Sequence, residues 1–326
     1  MKIFAYALRD YDEKQYFLQC AEEFGFEYGY TDAYPDMENA ELARGYDGVT
    51  IITNPVPAEL MDRFYELGVR CIATRSIGFE HIDTAHAKEI GMGVTHVSYS
   101  PNSVANYTIM LMLAACRKFP AIMERGALQD FTLKGKIGKE LSRCTVGVIG
   151  TGRIGETVAR RLAAFDCRVL AYDVYQKESV KAYAEYVELP ELYAQSDIIT
   201  LHVPGNDSSY HMIGADEITQ MKDGVILVNA ARGMLIDTPA MIAGLESGKI
   251  GFAALDTIEQ EAGLYYLDRQ GEVLDNHDRA LLLAMPNVIL SSHMAFYTEE
   301  AVEDMVKNAV LGLLKHLRGE ENEFAV

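Results

Sequence analysis

The sequence predicts an α/β chain with two doubly wound parallel sheets. Three observations carry that expectation. Short apolar runs alternate with amphipathic stretches from the first residues onward, the alternation begins afresh near Thr145, and the first run of the second series ends in a glycine-rich turn. Such alternation puts parallel strands in one sheet and helices on its faces.

In the first series the strand candidates are residues 3–8, 26–29, 49–52, 71–74 and 93–97, with helices expected over 12–24 and 57–67. A long helix is expected from Pro101 to about Arg117, because Ser100-Pro101-Asn102 makes a good helix start. The second series places strands near 145–149, 168–172, 197–201, 225–229, 251–255 and 288–290. A closing helix, Glu299 to about Arg318, could return to pack on the first domain and make it discontinuous.

The most informative stretch is Val146-Gly147-Val148-Ile149-Gly150-Thr151-Gly152-Arg153-Ile154-Gly155. The next apolar run, Arg168 to Tyr172, ends in Asp173, about 18 positions after Gly155. This is the layout of a dinucleotide-binding β-α-β unit. Gly150 would permit the tight turn, Gly152 the approach of a pyrophosphate to the backbone, and Gly155 close helix–strand packing. The free N–H groups of the helix start would face the phosphate charge. The bland reading, a strand-to-helix turn and nothing more, does not account for the acid at the end of the second strand. An acid there hydrogen-bonds a ribose 2′-hydroxyl and repels a 2′-phosphate, which favours NAD over NADP. Arg153 and Lys177 are basic and nearby, and they temper that preference.

The 326 residues are 49% hydrophobic and 24% charged, with a mean hydropathy of −0.02. That suffices for one large domain or two ordinary ones. A net charge of −19 and a pI near 4.8 argue against nucleic acid or anionic membranes as partners. The five cysteines form no C-x-x-C pair, as expected of reduced, mostly buried thiols. The N-terminus is too short and too quickly polar for a signal peptide, so a cytoplasmic protein is expected. His81, His86, His96, His202, His211 and His277 lack metal-ligand spacing, and no metal is expected.

Three polar residues follow strands, where α/β proteins place function. Arg232 follows Val225 to Ala231, Glu261 follows the run ending at Asp256, and His293 follows Val288 to Ser292. Singly, each reads as a loop residue. Together they suit reduction of a 2-keto acid. Arg grips a carboxylate bidentately, His moves a proton near neutral pH, and Glu orients the imidazole and favours its charged form.

At these residues the chain resembles the D-specific 2-hydroxyacid dehydrogenases, and within them the D-lactate dehydrogenase branch. The landmarks are Arg75 to Phe79, Tyr99 to Ala105, the glycine loop, Asn229 to Gly233, Asp256 to Glu261, and Pro286 to Thr298. The last block and residues 262–285 before it are also similar to the D-lactate-forming enzymes of vancomycin resistance. Small departures are Ser292 and Met294 around the histidine and Thr257 after the aspartate.

The resemblance implies two Rossmann-like domains. A cofactor domain, 101–294, would be inserted into a discontinuous substrate domain, 1–100 and 295–326. It implies Arg232 as the substrate-binding arginine, Glu261 as the partner of the histidine and His293 as the acid/base. Backbone N–H groups of Ile77 and Gly78 would receive the carboxylate, and Tyr99 and Tyr297 would line the pocket. Gly150, Gly152, Arg153, Ile154, Gly155, Asp173, Val203, Pro204, Ala230, Arg232 and Asp256 would contact NAD, with Asp256 on the nicotinamide side. A homodimer is implied, with the helix after Pro101 contributing.

The expected reaction is NADH-dependent reduction of a short 2-keto acid to the D-2-hydroxy acid, with pyruvate to D-lactate as first choice. Bulkier acids such as 2-ketoisocaproate or phenylpyruvate are the alternative, since Phe79, Tyr99, Phe296 and Tyr297 could wall a small or a large pocket. An NAD(H)-sensing, corepressor-like binding protein is the reading from a different class.

Overall fold

The apolar runs of the first series become five strands in the computed structural model, which describes residues 1–326. In order they are β1 (Lys2–Ala5), α1 (Lys14–Phe24), β2 (Glu27–Tyr30), β3 (Gly48–Ile51), α2 (Ala58–Leu67), β4 (Cys71–Thr74), α3 (Thr84–Ile90) and β5 (Gly93–Thr95). The sheet is wholly parallel, in the order β2-β1-β3-β4-β5, which is the flavodoxin-like arrangement. Every residue of β3 and β4 is buried, so these strands read as continuous apolar runs rather than alternating ones. The apolar run 3–8 is longer than β1, because Ala7 takes a left-handed φ of 48° and turns the chain off the sheet.

The second series forms α4 (Asn102–Cys116), α5 (Phe119–Ala127), β6 (Thr145–Ile149), α6 (Arg153–Ala164), β7 (Arg168–Tyr172), β8 (Glu185–Tyr186), α7 (Leu189–Gln195), β9 (Ile198–Leu201), α8 (Ala215–Gln220), β10 (Val225–Asn229), α9 (Thr238–Ser247), β11 (Ile250–Leu255), α10 (His277–Ala284) and β12 (Val288–Leu290). Its seven strands are parallel, in the order β12-β11-β10-β9-β6-β7-β8. The order reverses between β6 and β9, which makes the topological switch point of a Rossmann sheet. Side chains alternate between two cores. Ile149, Leu227 and Leu255 face one, and Val148, Val228 and Ala254 face the other.

The last helix, α11 (Glu299–Arg318), packs against β3, β4, β5 and α1. It buries Val302, Met305, Val306, Ala309, Val310, Leu313 and Leu314, one face at helical spacing. Thr298 caps its start by accepting the Ala301 N–H, and Lys315, His316 and Arg318 complement its negative end. The C-terminal tail then covers the outer edge of β5. His96 N–H donates to Phe324 O, and Val326 N–H to Val94 O.

The chain thus forms two units, Met1–Ser100 with Tyr297–Val326, and Pro101–Phe296. Ala295 and Phe296, expected with the first unit, cluster with the second, where the Ala295 N–H is bound by Asp256. No helix is long and apolar enough to cross a membrane.

Candidate active site

The glycine loop joins β6 to α6 beside the switch point. Gly150 has a left-handed φ of 92°, and a Cβ there would stand 2.6 Å from His202 O. A Cβ on Gly155 would stand 1.9 Å from Gly150 O, so α6 can pack this closely only on glycine. By contrast, a Cβ on Gly152 would meet nothing within 4 Å. Open space at the start of a twelve-residue helix is what a pyrophosphate needs. Arg153 and Ile154 open that helix.

Asp173 leaves the end of β7. One carboxylate oxygen accepts the Thr151 N–H at 2.6 Å and the Thr151 hydroxyl at 3.0 Å, and the other accepts the Tyr175 N–H at 2.9 Å. The acid is therefore pinned beside the glycine loop, with lone pairs to spare for a ribose hydroxyl. Lys177 is 3.2 Å from Glu156 Oε2, so its charge is already countered.

Across the switch point, Val203 Cγ1 covers Gly150, and Pro204 O accepts the Ser209 hydroxyl. Burial pushes the neighbouring His202 imidazole down to about 4, so it stays neutral, 3.0 Å from the Thr200 hydroxyl. These residues fit a dinucleotide.

Arg232, Glu261 and His293 lie beyond the carboxyl ends of three adjacent strands, β10, β11 and β12. Asn229 shapes the first of these exits. It accepts the Ala231 N–H at 3.0 Å and donates to Arg232 O at 2.8 Å, which fixes the backbone from Ala230 to Arg232. His293 Nδ1 is 2.6 Å from Glu261 Oε1, and Glu261 Oε2 accepts the Ile258 N–H at 3.2 Å.

Asp256, expected beside the nicotinamide, is fully buried. Its carboxylate accepts the Ser291 hydroxyl (2.6 Å), the Met294 N–H (2.9 Å) and the Ala295 N–H (2.8 Å), while its backbone O accepts the His293 N–H (2.8 Å). His293 itself has a left-handed φ of 55°, and Gln260 and Tyr266 nearby have φ of 57° and 67°. Such non-glycine conformations cost energy and persist where the surroundings over-determine them.

Sequence reasoning missed several supports. The Tyr266 hydroxyl donates to His293 O at 3.0 Å, and the rings of Tyr266 and Phe296 stand 6.0 and 6.4 Å from the imidazole. A second histidine–carboxylate pair braces the same loop. His211 Nε2 is 2.7 Å from Glu259 Oε1, and Glu259 Oε2 accepts the Thr238 N–H and hydroxyl. The Glu259-Gln260-Glu261 spacing was the one signal that could have pointed to it.

Ile77, Gly78, Tyr99 and Tyr297 belong to the first unit. The segment after β4 has its carbonyls tied down. Ser76 O accepts the Val97 N–H, Ile77 O pairs with His96 Nδ1, and Gly78 O accepts the Ser76 hydroxyl. The N–H groups of Ile77 and Gly78 are left unused by the fold, as an anion-receiving backbone requires.

A Rossmann sheet with a pinned acid beside its glycine loop, and a histidine–glutamate pair with an arginine at the same strand ends, defines a nicotinamide-dependent oxidoreductase. Residues 109–295 match the family model described as "D-isomer specific 2-hydroxyacid dehydrogenase, NAD binding domain". An aromatic 2-oxoacid reductase of Clostridium sporogenes is 44% identical over 320 residues, covering 96% of this chain and 95% of that protein. A D-lactate dehydrogenase of Lactiplantibacillus plantarum is 39% identical over 310 residues, covering 94% and 93%. Among solved structures, a D-lactate dehydrogenase of Treponema pallidum superposes with a TM-score of 0.92 at 34% identity, covering 100% of this chain and 99% of that one. The chain belongs to the D-isomer-specific 2-hydroxyacid dehydrogenases. NAD is its cofactor, and it reduces a 2-keto acid to the D-2-hydroxy acid.

Proposed function

We propose that this dehydrogenase acts on bulky 2-oxo acids, aromatic ones above all, and that pyruvate takes second place. The observation that carries this reading is the similarity to aromatic 2-oxoacid reductases, at 44% and 43% identity over 96% of the chain. The aromatic rings of Tyr266 and Phe296 beside His293 support it, since a flat ring gains from tilted and edge contacts with its own kind. D-lactate dehydrogenases at 38–39% identity support pyruvate as the second reading.

Each residue then has a role. The amides of Ile77 and Gly78 receive the substrate carboxylate, and Arg232 grips carboxylate and keto oxygen. Tyr99 and Tyr297 bound the side chain. Glu261 holds Nδ1 of His293, so that Nε2 gives its proton to the keto oxygen as the carbon is reduced. When bound, NADH supplies the hydride. Gly150, Gly152, Arg153, Ile154 and Gly155 take its pyrophosphate, Asp173 its ribose, and Val203, Pro204 and Ala230 its flanks. Asp256 fixes the His293 loop from beneath on the nicotinamide side. The complete Arg-Glu-His set supports catalysis over NAD(H) sensing.

We also propose a homodimer. Helix α5 buries none of its residues, and Phe131, Leu133 and Ile137 just after it are 78%, 88% and 83% exposed. An apolar segment this exposed marks a protein–protein surface.

The test is NADH oxidation with phenylpyruvate, 2-ketoisocaproate and pyruvate in parallel. The expected result is a kcat/KM for phenylpyruvate at least about tenfold above that for pyruvate, a margin that one apolar group can supply. The reverse order would restore pyruvate, and NADH binding without turnover of any acid would overturn the reductase reading.

A further inference from the structure

Two residues before Ile77, Arg75 enters a fully buried ion pair. Arg75 and Glu13 are both 0% exposed, with Arg75 Nε 2.8 Å from Glu13 Oε1. Every nitrogen of the guanidinium is used. Nη1 donates to the Thr50 hydroxyl, and Nη2 donates to Tyr6 O, Ala7 O and Glu13 Oε2. Removing two charges from water is costly, and apolar residues would often stabilise as well, so such a pair is better explained by what it positions.

The network does not stop at Glu13. Arg9 Nη2 is 3.4 Å from Glu13 Oε1, and Arg9 Nε reaches both oxygens of Asp12 at 2.9 and 3.0 Å. Asp12 Oδ2 then accepts the Tyr297 hydroxyl at 2.6 Å. Two cations and two anions thus form a neutral chain from the residue before Ser76 to the residue before the cap of α11. Burial, reinforced by the hydrogen bond to Asp12, pushes the Tyr297 phenol up to about 12. It is a standing donor in a short, charge-assisted bond.

We propose that Asp12 is a specificity-determining positioning residue: it consumes the Tyr297 hydroxyl and fixes the ring as an apolar wall for the side chain of the 2-oxo acid. This rests on the reading that Tyr297 bounds that side chain. With its one donor spent on Asp12, Tyr297 offers substrate a ring face and no hydroxyl proton. The wall is tied to the segment that carries the carboxylate-receiving amides, because the Asp12–Arg9–Glu13–Arg75 chain ends at Arg75, two residues before Ile77. A large flat side chain would use the wall. A methyl group would not reach far enough to feel its loss.

The test is a double-mutant cycle of Asp12→Ala and Tyr297→Phe, with Asp12→Asn as the conservative variant. KM, kcat and melting temperature are read for phenylpyruvate and pyruvate. A charge-assisted bond of this kind predicts about a tenfold rise in KM for phenylpyruvate in either single variant, and a several-fold smaller rise for pyruvate. Asp12→Asn, whose amide oxygen still accepts, should recover most of the loss, and the double variant should be no worse than either single one. Equal rises for both acids, or single effects that multiply in the double variant, would overturn the proposal. Should Asp12→Ala fail to fold, Tyr297→Phe decides, since it leaves the Arg9–Asp12 pair intact. The preference of the unmutated enzyme tests the aromatic reading separately. The cycle is read on phenylpyruvate whichever acid the unmutated enzyme turns over best.

Discussion

His293 Nδ1 lies 2.6 Å from Glu261 Oε1, and this one contact occupies one of the two ring nitrogens. Nδ1 is committed to the carboxylate, so Nε2 is the atom that can exchange a proton. Because the other Glu261 oxygen is anchored by the Ile258 N–H, the carboxylate cannot swing away and take the ring with it.

His293→Ala should therefore lower kcat by about 10²–10⁴-fold, the usual share of a general acid. Glu261→Gln should cost about tenfold or more, since a neutral amide supports the charged imidazole less well. NADH affinity, read by its fluorescence, should change little in either. An unchanged kcat in His293→Ala would remove His293 from the proton path.

Cofactor choice turns on a second pair. Glu156 occupies Lys177, the cation nearest Asp173 in sequence that could meet a 2′-phosphate. Both side chains are partly exposed, so the pair is worth under about 1 kcal/mol. Glu156→Gln should tighten NADPH binding by at most about fivefold, and adding Asp173→Ser should tighten it further. NADPH titrations by fluorescence measure both. No gain in the double variant would mean that Lys177 is out of reach of the ribose.

His202 predicts an acid limb in stability. Desolvation lowers its folded pKa to about 4 from an ordinary 6.5, so the unfolded chain binds the proton more readily. The stability tied to its neutral form is full above pH 6.5 and lost as pH falls from there toward 4. Melting temperatures across that window should fall less steeply in His202→Asn than in the unmutated protein. Parallel curves would show that the imidazole is not the desolvated group.

The exposed segment after α5 predicts assembly. Light scattering should give twice the chain mass, and Phe131→Glu with Leu133→Glu should shift it toward the monomer. A monomeric unmutated protein would leave the apolar segment without its proposed partner.

Much of this molecule could be read from its residues, and the exceptions have physical causes. The strands of both series, the glycine turn and the three strand-end residues follow from local patterns, because parallel strands buried on both faces must be apolar throughout. The apolar run that predicts β1 continues past Ala5, whereas Ala7 takes a left-handed turn that Arg75 holds by its carbonyl. Strand β8 leaves no signal in the sequence, because it is only Glu185–Tyr186, too short and too polar to carry a period. The Asp12–Tyr297 contact joins residues 285 positions apart, and no local pattern announces such a pair. Ala295 and Phe296 fell to the other unit because a buried aspartate 39 positions earlier claims the Ala295 amide.

That aspartate has an effect on how variants of this enzyme would be interpreted. Asp256 holds Ser291, Met294 and Ala295 with its side chain and His293 with its main chain, so replacing it releases the loop that carries the histidine. A saturation survey scored only by growth or turnover would rank position 256 with position 293. Folding yield and cofactor retention should separate them, with the loss of fold at 256 and not at 293.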